Sequence, residues 1–279
     1  EASAVTLQAA PLNFQRRRLF PWRTPPHPLL QCRLPCTEGT LSFCSPINAL
    51  LYSLVADHVV RSRVVFPAAG YLEMARAGCV HSSPDAFALL RGVMFSQPLL
   101  VGSSNGAIRL SLRDERFEIC SDNTVAGDIQ AMTVHCTGSL TACCLPTPLD
   151  VSAAHAFGSA CAVPVESAYE WFRAQGLQYG PGYRPLAKVW ASVSSARAHG
   201  QLRPRAQSQL NQAHPADLDG ALQLSALTTS GGQGNQETHV PFAVERAFLR
   251  SGVRDLFAVR WRAMPRCVSM RAGFFAPLL

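Results

Sequence analysis

Two ionisable side chains stand out by the company they keep. His58 follows the apolar stretch around Leu54 and precedes Val64 to Phe66. Asp219 lies among Leu218, Ala221, Leu222, Leu224, Ala226 and Leu227. An imidazole with an unperturbed pKa near 6.5 is the natural base at neutral pH. A carboxyl on an apolar helix is costly to bury unless it is hydrogen-bonded or functional. Desolvation raises its pKa from about 3.9 toward neutrality, as a general acid requires. Gln223 stands one helical turn beyond Asp219, on the same face. General acid–base catalysis is the chemistry this set could do. The spacing equally allows Asp219 to face solvent as an early-turn partner of the helix dipole, like Asp217. His58 alone is equally compatible with an ordinary core or surface histidine. The stretch from Gln178 to Pro185, QYGPGYRP, is on its pattern a turn. The chain has no P-loop or Gly-x-Gly-x-x-Gly, so the chemistries tied to those motifs have no support.

Two helix-like segments must position these groups, PAAGYLEMARAG from Pro67 and PADLDGALQLSALTTSG from Pro215. Proline is tolerated at a first helical position because that N–H has no intrahelical partner. Small and apolar residues run round every face of both, as in a buried helix wrapped by a sheet. The two prolines stand about half the chain apart, which suggests an internal duplication. Strand-like runs surround each helix, at 88–95, 107–112, 116–120 and 129–140, then at 187–193, 244–250 and 255–261. Breaks rich in Pro, Gly or small residues fall before residue 30, at 143–164 and at 228–239. The chain therefore divides into a lead-in or linker (1–27), a first half with His58 (28–146), a connection (147–164) and a second half with Asp219 (165–279).

The bulk composition narrows the classes. With 279 residues, 48% hydrophobic and 15% charged, the chain can bury a full core. No run approaches 18 apolar residues and no secretory signal pattern opens the chain, so neither a membrane span nor secretion is expected. The net charge of +7 is almost all arginine, since Lys188 is the only lysine. The arginine clusters are separated and not interleaved with aromatics, which argues against nucleic-acid binding. A positive surface suits an acidic protein partner. The ten cysteines contain no Cys-x-x-Cys and no zinc-ligand spacing, and read as reduced, mostly buried thiols of a cytosolic protein.

Four stretches, in order, resemble the motifs of the dehydratase domain of modular type I polyketide synthases, to which the fatty acid synthase dehydratase is related. His-x3-Gly-x4-Pro is met by His58 to Pro67, with Ser62 at the glycine position, and AAGYLEMA follows. Gly-Tyr-x-Tyr-Gly-Pro-x-Phe is met by Gly176 to Tyr183, with Leu177 for the first tyrosine and Tyr183 for the phenylalanine. His-Pro-x-x-x-Asp-x3-Gln/His is met by His214 to Gln223, and a Leu-Pro-Phe-like segment by Val240, Pro241 and Phe242. The lead-in NFQRRRLFPW is similar to the end of the linker that precedes such domains.

The resemblance implies an α+β fold, a double hotdog with two hotdog halves in one chain, each an antiparallel sheet wrapped around a central helix. It implies dehydration of a 3-hydroxyacyl thioester to the 2-enoyl thioester, with His58 removing the α-proton and Asp219 protonating the leaving hydroxyl. Gln223 would orient Asp219. Tyr179, with Gly180 and Pro181, would help place the substrate. Pro67 would start the central helix, and the amide near Gly70 would polarise the thioester carbonyl. No metal or organic cofactor is implied, since the substrate rides on the phosphopantetheine of an acyl carrier protein. The implied partners are that carrier protein, neighbouring synthase domains and a second copy in a homodimer, without nucleic acid or membrane, in the cytoplasm. A non-catalytic structural or dimerising module and an isomerase or cyclisation-shaping relative share the fold. Asp219 speaks against the isomerase, which often lacks the acid. Serine tolerates positive φ poorly, so the turn at Ser62 is expected to be altered. The tail RCVSMRAGFFAPLL does not resemble the family's last strands, so the second sheet is expected to lack an edge strand or to end differently.

Overall fold

The computed structural model describes residues 27–35, 39–82, 87–102, 106–122, 132–143, 161–192, 197–204, 214–229, 241–249, 257–264 and 267–274. The lead-in before His27 and residues 144–160 of the connection lie outside them. The first half contains β1 (Cys32–Arg33), β2 (Leu41–Pro46), α1 (Ala49–Val55), β3 (Val59–Val60), β4 (Arg63–Val64), α2 (Ala68–Ser82), β5 (Phe87–Phe95), β6 (Ala107–Arg113), β7 (Arg116–Asp122) and β8 (Thr133–Cys143). The second contains β9 (Cys161–Val163), α3 (Val165–Ala174), β10 (Leu186–Ser192), β11 (Arg197–Leu202), α4 (Pro215–Thr229), β12 (Ala243–Leu249), β13 (Phe257–Met264) and β14 (Cys267–Phe274). The strand β9 lies inside the segment read as the connection and pairs with β10.

One sheet runs β1-β2-β6-β7-β8-β5-β12-β14-β13, and a second runs β11-β10-β9. The halves join where β5 pairs antiparallel with β12, from Ala88 opposite Leu249 to Met94 opposite Ala243. The helix α2 packs on β5, β6 and β8, while α4 packs on β10, β11 and β13, and the two helices touch each other. Each half is thus strands curled around one central helix, and the fold is a double hotdog. Of the two outcomes expected for the tail, a missing edge strand or a different ending, the chain shows a different ending in the nine-stranded sheet. The tail folds back as β14 between β12 and β13, antiparallel to β13 and parallel to β12 through Val244 and Val268.

Both central helices are 15 residues long, and every residue is buried over 69–79 of α2 and 218–224 of α4, as their composition requires. The buried charged residues of α2 are paired. On α2, Arg76 donates to both Glu73 carboxylate oxygens at 2.6 Å, and the His27 ring contacts Glu73 Oε1 at 3.0 Å. Burial alone would push the Glu73 carboxyl up, but the Arg76 guanidinium, with His27, outweighs it and holds the carboxyl below its ordinary range. His27, the last residue of the lead-in, is thereby anchored to the core. Cys79, Cys120 and Cys136 are buried free thiols, whereas Cys161 is exposed. Cys36 and Cys144 lie outside the described residues. Among the described residues no helix is long and apolar enough to cross a membrane.

Candidate active site

The first half presents His58 from the turn between α1 and the β3–β4 hairpin. Asn48 caps α1 by accepting the Leu51 N–H at 3.1 Å, and the chain leaves the helix through Ala56 and Asp57. The His58 N–H donates to Val55 O at 2.8 Å, and His58 O accepts the Val65 N–H at 3.1 Å. The ring is fixed by Nδ1, which lies 2.7 Å from Val65 O. A carbonyl oxygen only accepts, so Nδ1 carries the hydrogen and Nε2 holds the free lone pair. That lone pair faces the second half, with Nε2 3.9 Å from Asp219 Oδ1. The separation is too long for a hydrogen bond, leaving both atoms available to a third group.

Asp219 is 3% exposed, so the solvent-facing alternative is excluded. Burial pushes its carboxyl above the ordinary value, with His58 and Gln223 pulling partly back. Gln223, one turn on and also buried, donates through Nε2 to Asp219 Oδ2 at 2.9 Å and to Tyr183 O at 2.9 Å. Its Oε1 accepts the Tyr169 hydroxyl at 3.1 Å, and that hydroxyl oxygen in turn accepts the Leu186 N–H at 3.2 Å. The rings of Tyr179 and Tyr183 lie 5.7 and 5.3 Å from the His58 ring and wall the site.

A backbone ladder stitches the two halves together at this point. Gln178 N–H donates to Val59 O at 2.7 Å, Arg61 N–H to Gly176 O at 2.8 Å, and Gly180 N–H to Asp57 O at 2.8 Å. The Asp57 carboxylate then accepts the Gly182 N–H at 2.6 Å. A Cβ on residue 180 would run into the Asp57 side chain, so glycine lets the loop close onto it this tightly. The ladder bonds fall on residues 57, 59 and 61 and on 176, 178 and 180. The intervening His58 and Tyr179 are left to meet through their side chains.

Residues 27–123 match the family described as Polyketide synthase dehydratase domain, and residues 149–263 match Polyketide synthase dehydratase N-terminal domain. The chain belongs to the polyketide synthase dehydratase family. Polyketide synthase ThaG of Burkholderia thailandensis is 32% identical over 194 residues, 61% of this chain. Polyketide synthase GfsE of Streptomyces halstedii is 29% identical over 235 residues, 78% of this chain. The chain spans only 3% and 6% of those two proteins. Among solved structures, the dehydratase domain from the CurJ module of curacin polyketide synthase superposes with a TM-score of 0.73 at 21% identity, covering 86% of this chain and 85% of that one. GphF dehydratase 1 does so with 0.69 at 27% identity, covering 86% and 87%.

The structure places two departures from the dehydratase motifs, Ser62 and Leu177, and the implied role of Gly70. At Ser62 the left-handed backbone is kept in spite of the side chain. Arg61 and Ser62 both take positive φ, 47° and 63°, and close a two-residue hairpin. The Ser62 N–H donates to Gln178 Oε1 at 2.8 Å, which helps hold it there. Leu177 is buried and bridges Val60, so the ladder forms without the motif's first tyrosine. The Gly70 amide is not free for a thioester carbonyl, because it donates to Pro67 O at 2.8 Å within the first turn of α2. Glycine is needed there for room, since a Cβ would lie 2.6 Å from the Phe66 ring. Pro67 does precede the helix, and Pro181 opens the short 3-10 turn Pro181–Tyr183 that carries Gly182. Asp57 and Tyr169 are the contributors that motif reading passes over.

Proposed function

We propose that this chain removes water from a 3-hydroxyacyl thioester carried on the phosphopantetheine of an acyl carrier protein, giving the 2-enoyl thioester. The observation that carries the reading is the 3.9 Å approach of His58 Nε2 to Asp219 Oδ1 in a buried site. A base with its lone pair exposed faces an acid whose pKa burial has raised, and such divergent environments assign the two roles.

His58 Nε2 takes the α-proton, which the neighbouring thioester carbonyl acidifies. The electron pair of that C–H bond becomes the α,β double bond. The β-carbon–oxygen bond breaks, and the departing hydroxyl takes the Asp219 proton to leave as water. The pair is left as imidazolium and carboxylate, and one proton passing back restores both. Electrons and protons balance without a redox change, so the residues of the chain suffice and no organic cofactor or metal is assigned. Tyr179, Gly180 and Pro181 shape the wall against which the acyl chain lies. The carrier protein, adjoining synthase domains and a second copy in a cytoplasmic homodimer complete the proposed setting.

A 3-hydroxyacyl-pantetheine thioester incubated with the chain is expected to lose water, read as enoyl absorbance. His58→Phe and Asp219→Asn are each expected to slow it by about 10²–10⁴-fold. Absence of water loss across several chain lengths and both β-epimers overturns the reading.

A further inference from the structure

Tyr169 lies outside every motif that points to the site, yet its hydroxyl sits in a chain of hydrogen bonds whose direction is fixed link by link. The Leu186 N–H can only donate, and it donates to the Tyr169 oxygen. The Tyr169 hydrogen is therefore directed to Gln223 Oε1, which can only accept. That orients the amide, because Nε2 then faces Tyr183 O and Asp219 Oδ2 with both of its hydrogens used. The Tyr179 hydroxyl also borders Gln223. With both amide hydrogens placed, Asp219 Oδ2 is an acceptor, and a proton on this carboxyl belongs on Oδ1, the oxygen facing His58 Nε2.

We propose that Tyr169 is a positioning residue which, acting through Gln223, keeps the acidic proton of Asp219 on Oδ1, where the leaving hydroxyl takes it. The proposal rests on the reading of Asp219 as the acid. Without the Tyr169 hydroxyl the Gln223 amide loses the donor that fixes its Oε1, and the Nε2–Tyr183 O bond is what remains against its turning over. When the amide does turn, its Oε1 accepts the Asp219 proton, and the acid points away from the substrate. Tyr169 itself makes no bond to the substrate, so the loss falls on kcat and not on KM.

The test measures kcat and KM for water loss from a 3-hydroxyacyl-pantetheine thioester in the wild type, Tyr169→Phe, Gln223→Leu and the double variant. Tyr169→Phe is expected to lower kcat about tenfold with KM within about twofold, and to add nothing in the Gln223→Leu background. Independent, multiplying losses overturn the proposal. In parallel, the Gln223 side-chain amide is followed by NMR in protein labelled with 15N-glutamine and assigned by its loss in Gln223→Leu. Its hydrogens are expected to exchange slowly in the wild type and faster in Tyr169→Phe; equal exchange overturns the chain of bonds. This second measurement needs no turnover. A wild type that does not dehydrate therefore fells the dehydration reading alone, and the exchange comparison still decides the role of Tyr169. Should Tyr169→Phe not fold, 3,5-difluorotyrosine at position 169 keeps the ring and the hydroxyl but makes the phenol more acidic. Asp219, Arg184 and Arg203 act on Tyr169 in both proteins, so their contribution is common to the two pH profiles. A fall in kcat at high pH in the fluorinated protein alone supports the proposal, and superposable profiles overturn it.

Discussion

The Asp57 carboxylate accepts the Gly182 N–H at 2.6 Å, joining residues 125 positions apart and from opposite halves of the chain. Asp57 precedes His58, the proposed base, and Gly182 lies between Tyr179 and Tyr183, so this bond holds the two sides of the site together. A hydrogen bond to a charged group contributes about 1.5–3 kcal/mol. Asp57→Ala is expected to lower kcat about tenfold, with part of the loss appearing as reduced stability. Asp57→Asn retains an acceptor oxygen and is expected to recover most of the activity. Gly182→Ala places a Cβ 2.8 Å from Asp57 Oδ2 and is expected to act in the same direction. Steady-state kinetics beside urea unfolding checks all three, and an Asp57→Ala enzyme with wild-type kcat rules the latch out.

Asp219 links the site to stability through pH. Its folded pKa is raised above the ordinary 3.8, so between those two values the folded state binds more protons than the unfolded state. Stability then falls as pH rises through that window and levels off above the folded value. Asparagine has no such ionisation. Asp219→Asn is expected to be more stable than the wild type at neutral pH, with the gap closing as pH drops toward 4 or below. Urea midpoints across a pH series measure this; a gap that widens on acidification contradicts it.

His58 and Asp219 are legible in the sequence because an ionisable group inside an apolar stretch is conspicuous in one dimension. Helical spacing adds Gln223. Asp57 and Tyr169 carry no such sign, since their partners Gly182 and Gln223 are 125 and 54 positions away. The helix holding Tyr169 does have a readable pattern, because Val165, Ala168, Tyr169 and Phe172 fall on one buried face at helical spacing. The strand β11 hides its alternation because two of its inward residues, Ala198 and Gly200, are small. The insertion of β14 beside β12 is a non-local pairing with no local signature. At Gly70 the expectation fails because the first turn of α2 closes on Pro67 and takes the amide.

Ser62 offers a stability gain. Its φ of 63° places a side chain in the left-handed region, which costs about 1–2 kcal/mol per non-glycine residue. Ser62→Gly relieves this while keeping the backbone N–H that bonds Gln178. The greater freedom of glycine in the unfolded chain offsets part of the relief. A net gain of about 0.5–1 kcal/mol in urea unfolding is the expected outcome. A loss of stability would show that the Ser62 hydroxyl contributes more than the strain costs.

The buried pair on α2 makes the opposite forecast. Glu73 and Arg76 are 0% and 1% exposed, and each carboxylate oxygen takes a guanidinium N–H. Removing one partner strands a charge in the core, at a cost of about 3–5 kcal/mol. Glu73→Gln and Arg76→Met are each expected to unfold at markedly lower urea. Replacing both, as Glu73→Leu with Arg76→Met, leaves no stranded charge and is expected to cost less than the sum of the single changes. The pH dependence has the reverse sign to that of Asp219. The folded pKa of Glu73 is lowered, so its contribution is present above the ordinary 4.5 and is lost as pH falls through the folded value. The pair variant should therefore lose less stability than the wild type on acidification. Additive single and double costs at neutral pH would mean that the two side chains stabilise α2 independently.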